Sequence, residues 1–249
     1  MNVNEKVNDF AGLRVAVTGG TSGLGLALVR ELTNRGAQVA FVARGREGVE
    51  RVSRDQLASH GIVGDVSRKE DIHPIAMQIL GALGGLDVLI NNASDLGPAP
   101  LALLADTECE DLERAVATNL LGSFRLTKAL LGSLAAAARD GRGVAVVNVS
   151  SDAAIHSYPH WGAYGASKAA LHHLSRIWDE ELTDAHIRVL SIDPGDMDTP
   201  MHAAALPDAD RSTLRRPEAA AHELVESIAA ALSRRTPNLE AMVQETVRC

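Results

Sequence analysis

The stretch TGGTSGLG, Thr18 to Gly25, decides how this chain reads. It joins an apolar run, LRVAVTGG at 13–20, to a segment with helical spacing at 23–35. A strand that opens through glycines straight into a helix makes a tight turn, and the free N–H groups of the helix start favour an anion there. Gly19, Gly23 and Gly25 permit the turn, close backbone approach to a phosphate, and close packing of helix on strand. Thr18, Thr21, Ser22 and Leu24 complete the candidate cradle.

Working outward, five more apolar runs recur: AQVAFVAR (37–44), GIVGDV (61–66), LDVLINNA (86–93), GVAVVNVSS (143–151) and IRVLSID (187–193). They are rich in Val, Ile and Leu without polar alternation, as expected for strands covered on both faces. Helical patterns separate them at 46–59, 68–83, 108–138 and 163–183, and a last one follows at 217–233. This βαβα rhythm predicts an α/β fold, a doubly wound parallel sheet of Rossmann type in a single domain spanning 1–249. The one long irregular stretch, 195–216, is expected to be a loop or flap over a site.

Composition narrows the function. A formal charge of -8 argues against nucleic acid as a partner, because phosphate contacts need clustered Lys and Arg. No apolar run reaches the roughly 18–20 residues of a membrane span, and the N-terminal MNVNEKVNDFAGL has no apolar signal core. The two cysteines, Cys109 and Cys249, form no spaced framework, so a reduced, cytoplasmic setting is expected and no metal site is assigned.

Only two tyrosines occur, and both lie in YPHWGAYGASKAAL, Tyr158 to Leu171. Tyr164 precedes Lys168 by one helical turn, so the two side chains share a face. A carbonyl that accepts a hydride needs a proton from a positioned acid, and a phenol beside an ammonium suits that task, the ammonium lowering its pKa.

The spacing TG-x-x-x-G-x-G, with this tyrosine and lysine, resembles the short-chain dehydrogenase/reductase family, in its short single-domain branch. The resemblance runs from about Leu13 to the C-terminus. It implies that Ser151, thirteen residues before Tyr164, polarises the substrate oxygen, and that Asn119 anchors a water in the proton relay. Lys168 would also hold the nicotinamide ribose. Asp65 and Val66 in GDVS would frame the adenine. NNAS at 91–94 resembles the family's NNAG turn, with Ser94 in place of glycine, and puts Asn92 and Ala93 beside the cofactor. In DPGDMDT at 193–199, Pro194, Gly195 and Met197 would pass the nicotinamide and Thr199 would bond its carboxamide, while Asp196 and Asp198 are expected to cap the next short helix.

Where a carboxylate would hold the ribose hydroxyls of NAD, the sequence reads FVARGRE, with Ala43 and then Arg44. A guanidinium suits a 2′-phosphate, so NADP(H) is favoured over NAD(H), with Arg44 as main contact and Arg46 as helper.

His156, Tyr158, Trp161 and Met201, with Ser151, are expected to contact a small carbonyl or alcohol substrate. An acyl-carrier thioester is disfavoured by the acidic WDEELTDAH at 178–186, although Arg125, Lys128 and Arg176 could form a local basic patch. The family resemblance implies a homodimer or homotetramer. Two rival readings stay open: a non-catalytic NADP(H)-binding sensor or scaffold, and a sugar-nucleotide epimerase or dehydratase. The first would predict loss of Tyr164 or Lys168, and the second a larger C-terminal domain than the residues after Pro194 supply.

Overall fold

Strands made of unbroken valine and leucine need cover on two sides, and the chain provides it by alternating strand and helix. In this computed structural model, which describes residues 9–233, the order is β1 (Arg14–Thr18), α1 (Gly23–Asn34), β2 (Gln38–Ala43), α2 (Arg46–Asp55), β3 (Ser59–Val63), α3 (Lys69–Leu83) and β4 (Val88–Asn91). It continues with α4 (Cys109–Val116), α5 (Ser123–Arg139), β5 (Val144–Val149), α6 (Gly162–Glu181), β6 (Ile187–Ile192), α7 (Pro200–Ala205) and α8 (Pro217–Ser233). All pairings are parallel, in the sheet order β3-β2-β1-β4-β5-β6. The expected doubly wound α/β sheet is therefore present.

Alternate residues of each strand feed two separate cores. Val15, Val17, Val39, Phe41, Ile90 and Val147 meet Leu28 of α1 and Leu224 and Ile228 of α8 on one side. Ala16, Ala40, Val42, Leu89 and Val146 meet Ile79 of α3 and Leu126 and Leu130 of α5 on the other, where Trp178 and Leu182 also pack. Full burial of each such side chain contributes about 1.5–3 kcal/mol.

Four boundaries differ from the sequence reading. β3 starts two residues and ends three residues earlier than expected, and just past its end the Asp65 carboxylate accepts the Ser67 N–H at 2.9 Å and turns the chain. α2 stops at Asp55, since Ser59 already belongs to β3. The single helix expected over 108–138 is divided by a π-helical turn, Ala117–Gly122, between α4 and α5. The stretch 195–216 is not irregular throughout. It holds α7 and a 3₁₀ turn at Arg211–Thr213, and a short parallel bridge pairs Met197 with Arg215. Cys109 is exposed and unpaired, and Cys249 lies outside the described residues.

At the foot of the sheet, away from the strand C-termini, Asp87 is fully buried between two arginines. Its carboxylate accepts from Arg14 Nη2 at 2.7 Å and from Arg142 Nε at 2.6 Å. Burial opposes ionisation there, but the hydrogen bonds from Arg142 and Arg14 outweigh it and hold the pKa below its ordinary 3.8. Because the folded pKa is the lower one, this stabilisation is complete above the unfolded value and is lost as pH falls through the folded one. Asp87→Asn is expected to cost about 3 kcal/mol at pH 7 in urea unfolding, and the deficit should shrink in acid.

Candidate active site

β1 and β4 are neighbours in the sheet, but the chain leaves β1 toward β2 on one side and leaves β4 toward β5 on the other. A crevice opens between their C-terminal ends. Two features close its floor tightly. The Thr18 hydroxyl oxygen accepts the N–H groups of Asn92 and Ala93 at 3.0 and 2.9 Å, while Asn92 Nδ2 donates back to the Thr18 carbonyl at 2.8 Å. A Cβ on Gly25 would sit 2.1 Å from the Gly19 carbonyl oxygen, so no other residue fits without moving backbone. Gly19 itself stands at φ +72°, a left-handed conformation.

Above this floor lies a cleft of about 730 Å³. One end is walled by Gly19, Thr21, Ser22, Leu24 and Gly25 from the turn, with Arg44, Asp65 and Val66 beyond them. Arg44 is exposed. Arg46 is also exposed but borders a different, shallow depression, so the second arginine expected here is elsewhere. A missed cation sits on the glycine turn without bordering the cleft: Arg51 of α2 donates from Nη2 to the Thr21 carbonyl at 3.0 Å. Its signal was only its place one turn beyond Gly48, on the helix face toward the glycine turn.

Tyr164 and Lys168 lie near the start of α6 on one face, 9% and 2% exposed, and both border the cleft. Lys168 Nζ donates to the Val149 carbonyl at 2.7 Å and lies 5.5 Å from the Tyr164 ring centre. Burial pushes the lysine down to about 8, with Asp193 pulling it back up. Burial pushes the Tyr164 phenol up to about 12, the Ser151 and Ser94 hydroxyls beside it act downward, and Asp193 and Asp152 add to the rise. The expected lowering of the phenol by Lys168 is thus not what the protein groups give, because desolvation of the phenolate exceeds the help available to it.

Asn119 is not in the cleft wall. It is fully buried in the π-helical turn behind it, where its carboxamide knits three segments together. Oδ1 accepts from Asp95 N at 2.8 Å and Ser94 Oγ at 3.1 Å, and Nδ2 donates to the Asp95 carbonyl and to Ser167 Oγ, each at 2.8 Å. Its neighbour Thr118, absent from the sequence reading, does border the cleft, and its buried Oγ1 has no hydrogen-bond partner among the described residues. Thr18 and Gly23, expected in the cradle, are not in the wall either. Thr18 is 2% exposed in the floor clamp, and Gly23 (φ +49°) packs under Thr199.

The other end of the cleft is bordered by Asn92, Ala93, Ser151, Pro194, Gly195, Met197 and Thr199, and by Tyr158, Trp161 and Met201. Trp161 meets Tyr164 edge-on, 5.6 Å between centroids. His156 does not reach the cleft wall. It is exposed beside Tyr158, while His202 does border the cleft. Asp196 and Asp198 do not cap α7. Thr199 does, its Oγ1 accepting from His202 N at 3.2 Å, while Asp198 pairs with Arg211 at 2.7 Å. Asp152 and Asp193 border this end as well. Among the described residues no cluster of His, Cys, Asp or Glu is arranged to hold a metal, and no helix is long and apolar enough to cross a membrane.

Asn119→Ala would strand the Asp95 backbone N–H and the Ser94 hydroxyl and remove a donor from Ser167, which keeps its bond to the Tyr164 carbonyl. A loss of roughly 2–4 kcal/mol in urea unfolding is expected, with altered near-ultraviolet dichroism from Tyr164 and Trp161.

The family model described as short chain dehydrogenase matches residues 14–210. An uncharacterized oxidoreductase of Mycobacterium tuberculosis is 34% identical over 207 residues, which are 80% of this chain and 58% of the relative, so the chain spans less than two thirds of that protein. A 3-ketoacyl-(acyl-carrier-protein) reductase from Brucella melitensis, crystallised with NADH, superposes with a TM-score of 0.84 at 26% identity, covering 91% of this chain and 95% of that one. An actinorhodin polyketide ketoreductase with NADPH does so with a TM-score of 0.78 at 27% identity, covering 88% and 92%.

Proposed function

The chain belongs to the short-chain dehydrogenase family, and from that premise we propose that it transfers a hydride between NADP(H) and the carbonyl or alcohol carbon of a small molecule, with Tyr164 as general acid or base. The observation that carries this reading is the buried phenol of Tyr164 bordering the cleft together with Lys168 and Ser151.

The residues present fit a dinucleotide. A Cβ at Gly25 would fill the space under the turn, and one at Gly19 would lie 2.9 Å from Asn92 Nδ2. Thr21, Ser22 and the start of α1 offer hydroxyls and backbone N–H groups to phosphates. Asp65 and Val66 would border the adenine, and the unpartnered hydroxyl of Thr118 faces the same cleft. When bound, a reduced nicotinamide supplies the hydride.

The rest of the work falls to this chain. In reduction, Tyr164 holds a proton at Oη throughout the neutral range, since its pKa is pushed to about 12, and gives it to the substrate oxygen. Ser151 polarises that oxygen. Lys168, anchored on Val149, orients the nicotinamide ribose and offsets charge left on the phenol. Asn119 acts through position, fixing the 94–95 backbone against Ser167 of α6. Pro194, Gly195, Met197 and Thr199 would border the nicotinamide, and the 195–216 segment would close over the substrate.

Preference for NADP(H) rests on Arg44, with Arg51 as a second cation held at the Thr21 carbonyl. The similar structures carry both NADH and NADPH, so the argument is the guanidinium itself. A homodimer or homotetramer using α5 and α6 belongs to the same proposal, as does a cytoplasmic setting. Phe124 and Trp178 stack at 5.3 Å across those two helices.

Tyr164→Phe is expected to lower turnover of any accepted carbonyl by about 10²–10⁴-fold while NADPH still binds. NADPH absorbance against ketones, aldehydes, quinones and acyl thioesters reads this. NADPH binding with no turnover across the panel would favour the sensor or scaffold reading. Arg44→Ala should weaken NADPH by about 10- to 100-fold and leave NADH affinity unchanged in a fluorescence titration. Equal loss for both nucleotides would remove the case for a 2′-phosphate contact.

A further inference from the structure

The reacting end of the cleft is bordered by three carboxylates, Asp152, Asp193 and Asp196. Among the described residues, none of the three forms an ion pair with a lysine, arginine or histidine. Two of the acids are held in place. Asp152 Oδ2 accepts from Tyr158 Oη at 2.8 Å and Oδ1 from Ser151 Oγ at 3.1 Å, and Asp193 Oδ1 accepts the Gly195 N–H at 2.9 Å. The cations nearby are occupied. Lys168 donates to the Val149 carbonyl and its charge is shared with Asp193, while Arg215 is committed to the Pro194 carbonyl and Glu223, and Arg211 to Asp198. Arg44 lies beyond the glycine turn, at the other end of the cleft.

A second observation points the same way. Aromatic residues are 3% of the chain, yet Tyr158 and Trp161 both border this end, beside Tyr164. Aromatic faces together with an excess of negative charge, three carboxylates against the one Lys168 ammonium, are the recognition chemistry of an organic ammonium. A carboxylate or phosphate would meet three like charges in the same space.

We propose that the substrate of this site is a carbonyl or alcohol compound bearing a protonated amine, and that the acidic rim formed by Asp152, Asp193 and Asp196 selects it over neutral and anionic analogues. The proposal rests on the reductase reading above. It runs against an acyl-carrier thioester, whose phosphate and acidic carrier would be repelled.

The test uses three ketones of matched skeleton, carrying an ammonium, a hydroxyl or a carboxylate two carbons from the carbonyl. Binding to the NADP⁺-loaded protein is read by quenching of tryptophan emission in a Trp178→Phe background that leaves Trp161, and reduction is read separately by NADPH absorbance. Affinity should fall from ammonium to hydroxyl to carboxylate, by about tenfold at each step at low salt. The ammonium advantage should shrink in 0.5 M salt at about the screening expected for exposed groups. It should also shrink in Asp196→Asn, and NADPH affinity in that variant should stay at the wild-type value. Hydroxyl or carboxylate analogues binding as well as the ammonium would overturn the proposal. Ordered binding without reduction of any compound would leave the charge selection standing and count against the reductase reading instead.

Discussion

The constraint on which this molecule depends is that β1 and β4 lie side by side while their continuations diverge. Parallel strands carry their chain out at the same edge, so every C-terminal turn of the sheet arrives at one rim. Divergence at the β1–β4 pair leaves the rim open at that point, and the clamp between Thr18 and Asn92 keeps the opening at fixed width. Glycine at 25 lets the α1 start settle onto the Gly19 carbonyl, so the first turn, the fourth turn and the helix N-terminus converge on one cleft. A side chain at 25 would separate them, and the residues of both ends of the cleft would lose their common frame.

Within that frame the electrostatics follow from burial. Tyr164 and Lys168 are both nearly inaccessible, and burial penalises the charged form of each. The phenol is therefore a firm proton holder and the ammonium a reluctant one. Under the proposed reductase reading, a phenol that keeps its proton until a carbonyl oxygen becomes basic would serve as the proton donor. The support behind it is polar but satisfied: Asn91 Nδ2 donates to Asn148 and to Thr127, Asn148 donates to Ser175, and Asn119 ties the 94–95 backbone to Ser167. These bonds cross from β4 to α5, β5 and α6. They hold the helix that carries Tyr164 and Lys168 against the strands that shape the cleft.

Much of this was legible in the sequence, because the signals were local. Valine-rich runs, the glycine spacing after the first strand, and the one-turn offset of Tyr164 and Lys168 need no knowledge of distant contacts. What escaped depended on tertiary packing. Thr18 reads as a cradle residue but turns inward to cap the fourth turn. Asn119 reads as part of the site and stands behind it, because a π-helical turn rotates the helix face between α4 and α5. The same rotation brings Thr118 to the cleft. Thr199 outcompetes Asp196 and Asp198 for the α7 cap, since Asp198 has Arg211 as a stronger partner. Arg51 and the Asp152–Asp193 rim come from segments far apart in sequence, and no spacing rule joins them.

The measurement that tests the central claim most directly is label transfer from [4-²H]NADPH. The purified protein is incubated with the labelled nucleotide and an accepted carbonyl compound, and the alcohol is analysed by mass spectrometry and proton NMR. Deuterium on the carbinol carbon, from one face of the nicotinamide only and in a single product configuration, is the predicted result. Product alcohol without deuterium at that carbon, or consumption of nucleotide with no label in any organic product, would contradict the account.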